Sequence, residues 1–438
     1  MQKHVYFLFI GLIALASCKV QKPTGIALQA KASLLDKPEF QPAHAGICVY
    51  DMEENKYLYN YQSEKYFVPA SNTKIFTCYA ALKNLKDSIV AFEYLPSEEN
   101  IAVRFTGDPT LLHRDFKQSR VFNFLQQNAP KITFVTPNWH AAAFGRGWPW
   151  DDFDADYMPE RSPMPIYGNT VRFERKGNGL NIIPKSFKDS LNIFSSMASG
   201  KFTVQRDKND NNFEVIQQNS VFSPLEIPFT TGKSFESVSL NLLEDTLNRV
   251  LHFANSVADK KAVWKKYYAQ STDSLLKIMM HRSDNFFAEQ TLLMVSNEKL
   301  GLMDDNKIID TLLKTDFADL PQKPKWVDGS GLSRYNLITP QDFVAVLSKM
   351  KKEFPWERIT TILATGNEGT LVGLYKNYVG KIYAKTGTLS NHVALSGFIK
   401  TNKGKDLVFS VMVNAHQSSA SAVRQLIEQF LTAIIDKY

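Results

Sequence analysis

The sequence predicts a mixed α/β protein of the α+β type, in which an antiparallel sheet is flanked by helices and interrupted by a large β-rich insertion. Three observations support this fold class. β-rich runs occur near both ends of the chain, helical periodicity accompanies them, and the middle consists of short apolar runs separated by Gly, Pro, Asn and Asp. We therefore expect residues 44–90 and 233–438 to form one split domain around an insertion at 91–232.

The composition is that of an ordinary globular protein. The chain has 438 residues, of which 44% are hydrophobic and 22% are charged, and this excludes collagen-like, low-complexity and wholly disordered classes. A net charge of +7 is small for this length and predicts no nucleic-acid partner. No cofactor and no metal are predicted. The histidines lack paired spacing, and the acidic run at 152–156 has Tyr157 where a calcium loop requires Gly.

The first 17 residues are predicted to be a signal peptide. Residues 5–16 form an apolar run that is shorter than the ~20 residues of a membrane-spanning helix. The run ends in the letters LASC, and this ending at Cys18 resembles the lipobox of bacterial lipoproteins. The resemblance implies lipidation of Cys18, a lipid-anchored tether over 18–43 and membrane contact through that anchor alone. The alternative is a plain secretory signal with an unrelated Cys.

The predicted elements follow one another along the split domain and the insertion. A hairpin is expected at 45–61, and a helix begins near Ser71. The predicted strands of the insertion include 101–105, 132–135, 171–174 and 213–216. Helical periodicity returns at 240–251, at 275–293 and, after a Thr-Pro helix start, at 343–350. The C-terminal part is expected to form strands at 381–384, 393–399 and 407–414 and a final helix at 423–434.

Cys48 and Cys78 lie in apolar runs, and we expect them to be small core residues because two thiols make no disulfide framework. The run at 328–331 (DGSG) is predicted to be a tight turn near a cleft and not a nucleophile motif. Trp148 and Trp150 are expected to be core residues rather than a platform for substrate.

Ser71 and Lys74 form a Ser-x-x-Lys motif at the predicted helix start. Residues three apart share one helix face, so the Lys74 amine is expected to reach the Ser71 hydroxyl. Lys acts as a base toward a hydroxyl only if burial or a nearby cation lowers its pKa well below about 10.4. The same pattern occurs at 274–277 and 296–299. Position at a helix entrance, and not the motif alone, therefore selects Ser71.

Two further motifs follow in the chain. Ser283-Asp284-Asn285 is a Ser-x-Asn, a pattern that also occurs at 190–192 and 239–241. The Lys-Thr-Gly-Thr run at 385–388 occurs once, at the end of a β-rich run, where Gly387 would let a substrate backbone approach closely. The order Ser-x-x-Lys, Ser-x-Asn, Lys-Thr-Gly is the combination found in penicillin-binding proteins and class A β-lactamases.

The chain resembles the class C low-molecular-mass penicillin-binding proteins, the D-alanyl-D-alanine carboxypeptidase/endopeptidase family of the penicillin-binding protein 4 type. The long separation of Ser71 from Ser283 fits the large insertion of that family. Segments that resemble family hallmarks lie at 106–111, 147–152, 279–289 and 327–334. The resemblance extends from about residue 45 to the C-terminus and implies the transpeptidase fold shared with serine β-lactamases.

The resemblance also implies roles for the motif residues. Ser71 would attack the carbonyl between two terminal D-alanines, Lys74 would take its proton, and Ser283 would relay that proton to the leaving amine. Asn285 would hold the substrate amide. Lys385 would attract the terminal carboxylate and lower the pKa of Lys74 by like-charge repulsion.

The remaining motif residues are implied to contact the substrate directly. Thr386 would donate a hydrogen bond to the terminal carboxylate. The backbone N–H groups of Ser71 and Thr388 would form the oxyanion hole.

The implied partners are peptidoglycan stem peptides and, as covalent inhibitors, β-lactams. The implied location is the cell envelope of a Gram-negative-type bacterium, as a periplasm-facing lipoprotein of the outer membrane. The balance between carboxypeptidase and endopeptidase activity is left open by the sequence. Two other functions also stay open at this point: a β-lactamase or esterase on the same fold, and a catalytically silent, lipid-anchored binding protein.

Overall fold

The structure is a computed structural model that describes residues 25–438, except for 118, 129–130, 178, 196–199, 218–221, 233–237 and 258–261. The predicted signal peptide and Cys18 lie outside the described residues. Within the described ranges, no helix has the length and apolar character needed to span a bilayer.

The described residues form ten α-helices and seventeen β-strands. The helices are α1 Gly25–Ala30, α2 Lys74–Asn84, α3 Arg120–Asn128, α4 Ser239–Leu247, α5 Thr272–His281, α6 Asn285–Leu300, α7 Asp305–Lys314, α8 Pro340–Glu353, α9 Trp356–Ile362 and α10 Ala420–Lys437. The strands are β1 His44–Asp51, β2 Lys56–Tyr61, β3 Ser88–Pro96, β4 Ile101–Phe105, β5 Ile132–Val135, β6 Thr170–Lys176, β7 Gly179–Ile183, β8 Leu191–Ser195, β9 Thr203–Arg206, β10 Phe213–Gln217, β11 Leu225–Pro228, β12 His252–Ala254, β13 Lys265–Ser271, β14 Ala364–Thr365, β15 Ile382–Leu389, β16 His392–Lys400 and β17 Asp406–Asn414.

A six-stranded antiparallel sheet joins the two ends of the chain. Its order is β14-β15-β16-β17-β1-β2, so the N-terminal hairpin pairs with the last strand of the C-terminal meander. The predicted hairpin, the three C-terminal strands and the final helix are therefore confirmed. Alternation along each strand sends successive side chains to opposite faces, which gives the sheet two buried sides.

One face of this sheet packs on α2, α5, α6 and α8, and the other face packs on α1 and α10. Strand β1 illustrates the division, because Cys48 belongs to the first core while Ile47 and Val49 belong to the second. Cys48 and Cys78 are both buried free thiols, as predicted, and burial raises the pKa of each.

The insertion has a hydrophobic core of its own. It contains a five-stranded sheet of order β12-β5-β4-β3-β13 and two three-stranded sheets, β8-β10-β9 and β11-β6-β7. The expected strands at 101–105, 132–135, 171–174 and 213–216 are all present. The five-stranded sheet begins at Ser88 and ends at Ser271, and α4 also packs in this core. The insertion core thus extends beyond the predicted boundary at residue 232.

Helix prediction was correct in outline and wrong in detail. The start of α8 is a capping box in which Thr339 and Asp342 bond each other's backbone N–H groups, as the Thr-Pro start indicated. The single helix expected at 275–293 is instead two helices, α5 and α6, separated by Arg282–Asp284. Helices α3, α7 and α9 were not predicted.

The range 25–43, expected to be part of a tether, is instead folded onto the sheet. Helix α1 and the turn of π-helix at Lys31–Leu35 pack against α10. Ile26, Leu34 and Phe40 are buried in the same core as α10. Apolar side chains spaced through a mixed polar segment supply the reason, because each gains stability by burial.

We expect Leu34→Ala to lower the free energy of unfolding by about 2–5 kcal/mol, since this side chain is fully buried. The matched control is Leu28→Ala, which removes the same atoms from a side chain that is 56% exposed and should change stability by less than about 0.5 kcal/mol. Urea denaturation of the chain from residue 25 measures both. Equal stabilities of the two variants would show that this segment is a tether after all.

Candidate active site

Ser71 lies in a turn of 3-10 helix, Ala70–Thr73, that leads directly into α2. This position at a helix entrance is the one predicted for the nucleophile. Ala70 has a left-handed φ of 49°, a conformation that carries strain in a residue with a side chain. Gly331 allows the turn to form, because a Cβ there would lie 1.9 Å from the Ala70 carbonyl oxygen. The Ser71 turn is thus fixed by a neighbouring loop.

Lys74 is fully buried, and its Nζ has three polar neighbours. It lies 3.0 Å from Ser71 Oγ, 2.6 Å from Asn285 Oδ1 and 2.8 Å from the Ser330 carbonyl oxygen. An ammonium group has three N–H donors and uses all of them here. A neutral amine would keep two donors for Asn285 and Ser330, and its lone pair could then accept the Ser71 hydroxyl proton.

Burial lowers the pKa of Lys74 to about 8, because the surroundings solvate a cation less well than water does. The negative charges of Asp328, Asp284 and Glu289 oppose this shift. The family resemblance implied that repulsion by Lys385 lowers the pKa of Lys74, but the dominant cause is desolvation. The pKa of Lys385 is itself held well below its usual range, first by burial and then by the positive charge of Lys74.

Ser283 occupies the break between α5 and α6 and has a left-handed φ of 61°. Its Oγ accepts a hydrogen bond from Lys385 Nζ at 2.8 Å. Ser283 therefore contacts Lys385 and is not among the three polar neighbours of Lys74. The neighbouring Asp284 caps α6 by accepting from the Phe287 N–H at 2.9 Å. That cap orients the first residue of α6, Asn285, toward Lys74.

Both polar atoms of the Asn285 side-chain amide form hydrogen bonds within the protein. Its Oδ1 accepts from Lys74, and its Nδ2 donates to the carbonyl of Tyr157 at 2.9 Å. The expected contact with a substrate amide would therefore require Asn285 to exchange the Tyr157 carbonyl for the substrate. Tyr157 belongs to the insertion, which thus reaches the catalytic motifs.

Strand β15 carries the Lys-Thr-Gly-Thr motif along the edge of the site. Strand β14 pairs with β15 only as far as Ala384, and the motif itself pairs with β16. The side of the motif turned away from β16 is therefore available to a ligand backbone. Gly387 serves a different contact from the one predicted, because a Cβ there would lie 2.6 Å from the Pro69 carbonyl oxygen. It admits the protein's own Ser71 turn, not the substrate.

The two threonines of the motif already have polar partners. Thr386 Oγ1 donates to Thr370 Oγ1 at 2.8 Å, and Thr388 Oγ1 accepts from Arg424 Nη2. Thr386 is buried and Thr388 is exposed. Thr388 is thus the threonine of the motif whose side chain reaches solvent.

A cavity of about 430 Å³ lies over these groups. Its wall combines motif residues with three residues of the insertion and the loop after Ser330. The lining residues are Ser71, Pro149, Asp152, Tyr157, Ser283, Asn285, Gly331, Leu332, Arg334, Thr388, Leu389 and Ser390. The predicted Ser71, Ser283, Asn285 and Thr388 therefore meet in one cleft, with Lys74 and Lys385 buried beneath it.

Sequence reasoning missed a buried charge cluster beneath this cleft. Glu289 Oε1 accepts from the Ser330 N–H at 2.7 Å, and its Oε2 lies 3.2 Å from Arg161 Nη1. The same Arg161 Nη1 donates to Asp305 at 2.8 Å. The carbonyl of Ser330 accepts a hydrogen bond from Lys74, so this cluster holds in place one of the three polar neighbours of Lys74. No spacing signal connects Arg161 with Glu289, because the two residues lie on distant segments.

The predicted turn at 328–331 is confirmed. The Asp328 carboxylate accepts from the backbone N–H groups of Gly331 and Ser333 at 2.8 and 2.7 Å. It also accepts from Trp148 Nε1 at 3.0 Å, which ties the turn to the insertion. Trp148 is half-buried, but Trp150 is 73% exposed, so the core position predicted for Trp150 is wrong.

The serines of the other two Ser-x-x-Lys patterns, at 274–277 and 296–299, are bonded to structural partners and do not line the cleft of Ser71. Ser274 Oγ bonds the hydroxyl of Ser271 at 2.6 Å, next to the N-terminal cap of α5. Ser296 Oγ donates to the carbonyl of Leu302 at 2.7 Å. Neither hydroxyl is bonded to the Lys three residues later, whereas Ser71 is bonded to Lys74.

Comparison with known proteins assigns the chain. Residues 27–200 and 245–434 match the D-Ala-D-Ala carboxypeptidase 3 (S13) family, and these ranges span more than half of the sequence. The chain belongs to this family. Membership makes it a serine-type D-alanyl-D-alanine carboxypeptidase, as the three motifs predicted, and does not favour the β-lactamase or the silent binding protein.

Two relatives of this S13 enzyme carry the same activity in their names. The D-alanyl-D-alanine carboxypeptidase DacB of Haemophilus influenzae is 23% identical over 429 residues, which cover 86% of each chain. The D-alanyl-D-alanine carboxypeptidase of an Actinomadura species is 23% identical over 448 residues, 89% of this chain and 81% of that one.

Solved structures show the same fold for the S13 enzyme. The crystal structure of penicillin binding protein 4 from Haemophilus influenzae has a TM-score of 0.73 at 19% identity and covers 95% of this chain and 100% of its own. A predatory endopeptidase of Bdellovibrio bacteriovorus, solved with an immunity protein, has a TM-score of 0.52 at 16% identity and covers 90% of this chain and 94% of its own. The predicted resemblance to the penicillin-binding protein 4 type is therefore confirmed.

Proposed function

We propose that this carboxypeptidase removes the terminal D-alanine of peptidoglycan stem peptides through an acyl-enzyme on Ser71, and that it also cleaves peptide cross-links as an endopeptidase. The observation that carries the proposal is the 3.0 Å contact between Ser71 Oγ and the fully buried Lys74 Nζ. A hydroxyl beside an amine of lowered pKa is the pairing that nucleophilic catalysis requires. The endopeptidase fold relative supports the second activity.

The first step is attack by Ser71 Oγ on the carbonyl carbon of the bond between the two D-alanines. The neutral Lys74 amine accepts the hydroxyl proton as the new C–O bond forms. Asn285 and Ser330 then accept hydrogen bonds from the resulting ammonium, which lowers the free energy of the charged state. The amine is thus placed to work as a base at neutral to mildly alkaline pH.

The second step breaks the C–N bond and returns the proton to the leaving amine. Ser283 lies in the cleft beside Asn285 and bonds Lys385, and its hydroxyl carries this proton to the leaving amine. The products of the step are free D-alanine and an ester between the peptide and Ser71. Lys385 is fully buried beneath the strand edge, and a terminal carboxylate bound there would favour its charged form and pair with it.

The oxyanion formed during attack needs hydrogen-bond donors. We assign these to the backbone N–H groups of Ser71 and Thr388, because both residues line the same cavity. Gly387 supports this assignment because it allows β15 to lie against the Ser71 turn. Water then hydrolyses the ester and regenerates the Ser71 hydroxyl.

β-Lactams are proposed to acylate Ser71 and to leave slowly. A β-lactam carries a strained amide next to a carboxylate and so presents the same groups as the peptide terminus. The penicillin binding protein 4 of Haemophilus influenzae has been solved in complex with a novel β-lactam, with a TM-score of 0.67 to this chain at 18% identity.

The proposed setting is the cell envelope, because the substrate is the cell wall. We propose that Cys18 carries the lipid and that the enzyme faces the periplasm from the outer membrane of a Gram-negative-type bacterium. The lipobox-like ending of the apolar run supports this location.

Ser71→Ala should abolish both labelling by a fluorescent penicillin and release of D-alanine from a muropeptide that ends in D-Ala-D-Ala. The matched control is Ser274→Ala, which changes the decoy Ser-x-x-Lys and should retain both activities. Gel fluorescence and D-alanine quantification give the two readouts. Rapid penicillin turnover without D-alanine release would indicate a β-lactamase, and the absence of both reactions in the wild type would indicate a silent binding protein.

The rate of acylation by penicillin should rise with pH, reach half its maximum near pH 8 and level off above it. The reason is that the pKa of Lys74 is lowered to about 8, so the neutral base is scarce below that value and complete above it. Below the pKa, the rate should increase roughly tenfold per pH unit. Stopped-flow labelling from pH 6 to 9 measures the profile. Lys74→Arg, which keeps its proton throughout this range, should be inactive at every pH, and a flat wild-type profile would contradict the role of Lys74.

The wild-type chain expressed in a Gram-negative host should incorporate radiolabelled palmitate and sediment with outer membranes. Cys18→Ser should do neither, because the sulfur that accepts the lipid is absent. Ser17→Ala keeps a small residue before the Cys and should remain lipidated. Palmitate labelling that persists in Cys18→Ser would exclude this anchor, and recovery in the inner membrane would exclude the outer-membrane location.

A further inference from the structure

Arg424 is a cation beside the active-site strand, and no carboxylate among the described residues forms an ion pair with it. It lies near the N-terminal end of α10, and its Nη2 donates to Thr388 Oγ1. The side chain is half-buried, and its Nε is buried without a hydrogen-bond partner. In the described part of the chain it forms no ion pair, whereas the buried Arg161 has both Glu289 and Asp305.

An unneutralised, partly buried cation is unfavourable unless something else compensates it. The Thr388 hydroxyl offers only a partial charge. An anionic ligand at the guanidinium would compensate the charge. Burial lowers the pKa of Arg424, because the surroundings solvate its charge less well than water does.

The location of Arg424 identifies which anion can reach it. Thr388, its hydrogen-bond partner, is exposed and lines the same cleft as Ser71. Along β15, the side chains of Lys385 and Thr388 belong to opposite faces by strand alternation. Arg424 therefore approaches the strand edge from the α10 side, and Lys385 approaches it from the α2 side. The positive charge of Arg424 also acts on Lys385, where it contributes to the lowered pKa.

We propose that Arg424 binds the free carboxylate of the peptide terminus, as a second cationic contact on the opposite side of β15 from Lys385. This inference rests on the proposed function, because the carboxylate belongs to the D-alanine that the enzyme releases. Arg424 would give up its hydrogen bond to Thr388 when the ligand binds. The planar guanidinium group suits a carboxylate because it can donate two parallel hydrogen bonds. The residue thereby makes the enzyme select peptides with a free terminal acid over amidated ones.

The test measures binding of two peptides to the Ser71→Ala protein, so that no turnover occurs. The probes are an N-acylated peptide ending in D-Ala-D-Ala and the same peptide as its C-terminal amide, and ligand-observed NMR titration gives the dissociation constants. We expect Arg424→Gln to weaken binding of the acid about tenfold, as for one charge-assisted contact, and to leave binding of the amide unchanged. Arg424→Lys should restore part of the loss.

The matched control is Lys437→Gln, which removes one positive charge from the exposed far end of the same helix and should leave both dissociation constants unchanged. Equal loss for acid and amide, or no loss for either, would overturn the inference. A lowered Tm with an unchanged ratio of acid to amide binding would also overturn it and assign Arg424 a structural role. Release of D-alanine by the wild type, tested separately with Ser71→Ala, reports on the proposed function and not on Arg424.

Discussion

The site depends on placing the Lys74 ammonium in a position without solvent. A buried cation is tolerated only where hydrogen-bond acceptors surround it. Here the acceptors come from three separate segments: the turn with Ser71, the start of α6 with Asn285 and the loop with Ser330. Each of these segments must be held in place for the amine to keep a lowered pKa without losing its position. The break between α5 and α6, the left-handed Ala70 and the Asp328 turn all serve that one requirement.

The insertion is part of this arrangement and not an appendage to it. Arg161 binds Glu289, which holds the Ser330 N–H, and Trp148 binds Asp328 in the same loop. Tyr157 binds Asn285 through its carbonyl. The insertion therefore contacts two of the three acceptors of Lys74, one directly and one through Glu289. A displacement of the insertion would be transmitted to the base by short, charged contacts in a region of low dielectric.

The motifs could be predicted from sequence because their chemistry depends on local spacing. Ser71 and Lys74 share one turn, and residues 385–388 share one strand, so spacing and context identified them. What depends on contacts between distant segments was not accessible. The role of Gly387 depends on the Ser71 turn that lies against it, and the pKa of Lys74 depends on how deeply three segments bury it. The helix break at Ser283 was missed because the apolar residues at 275–280 and 286–293 were taken as one helix across the polar run at 281–285.

The docking of residues 25–43 on α10 shortens the distance that the enzyme can move from its anchor. With the lipid proposed at Cys18, only residues 18–24 separate the membrane surface from the folded protein, and seven residues extend to about 25 Å at most. The attachment point is on the α10 face of the sheet, whereas Lys385 and the Ser71 turn lie on the α2 side. With so short a linker, the enzyme would reach only the layer of cell wall next to the membrane.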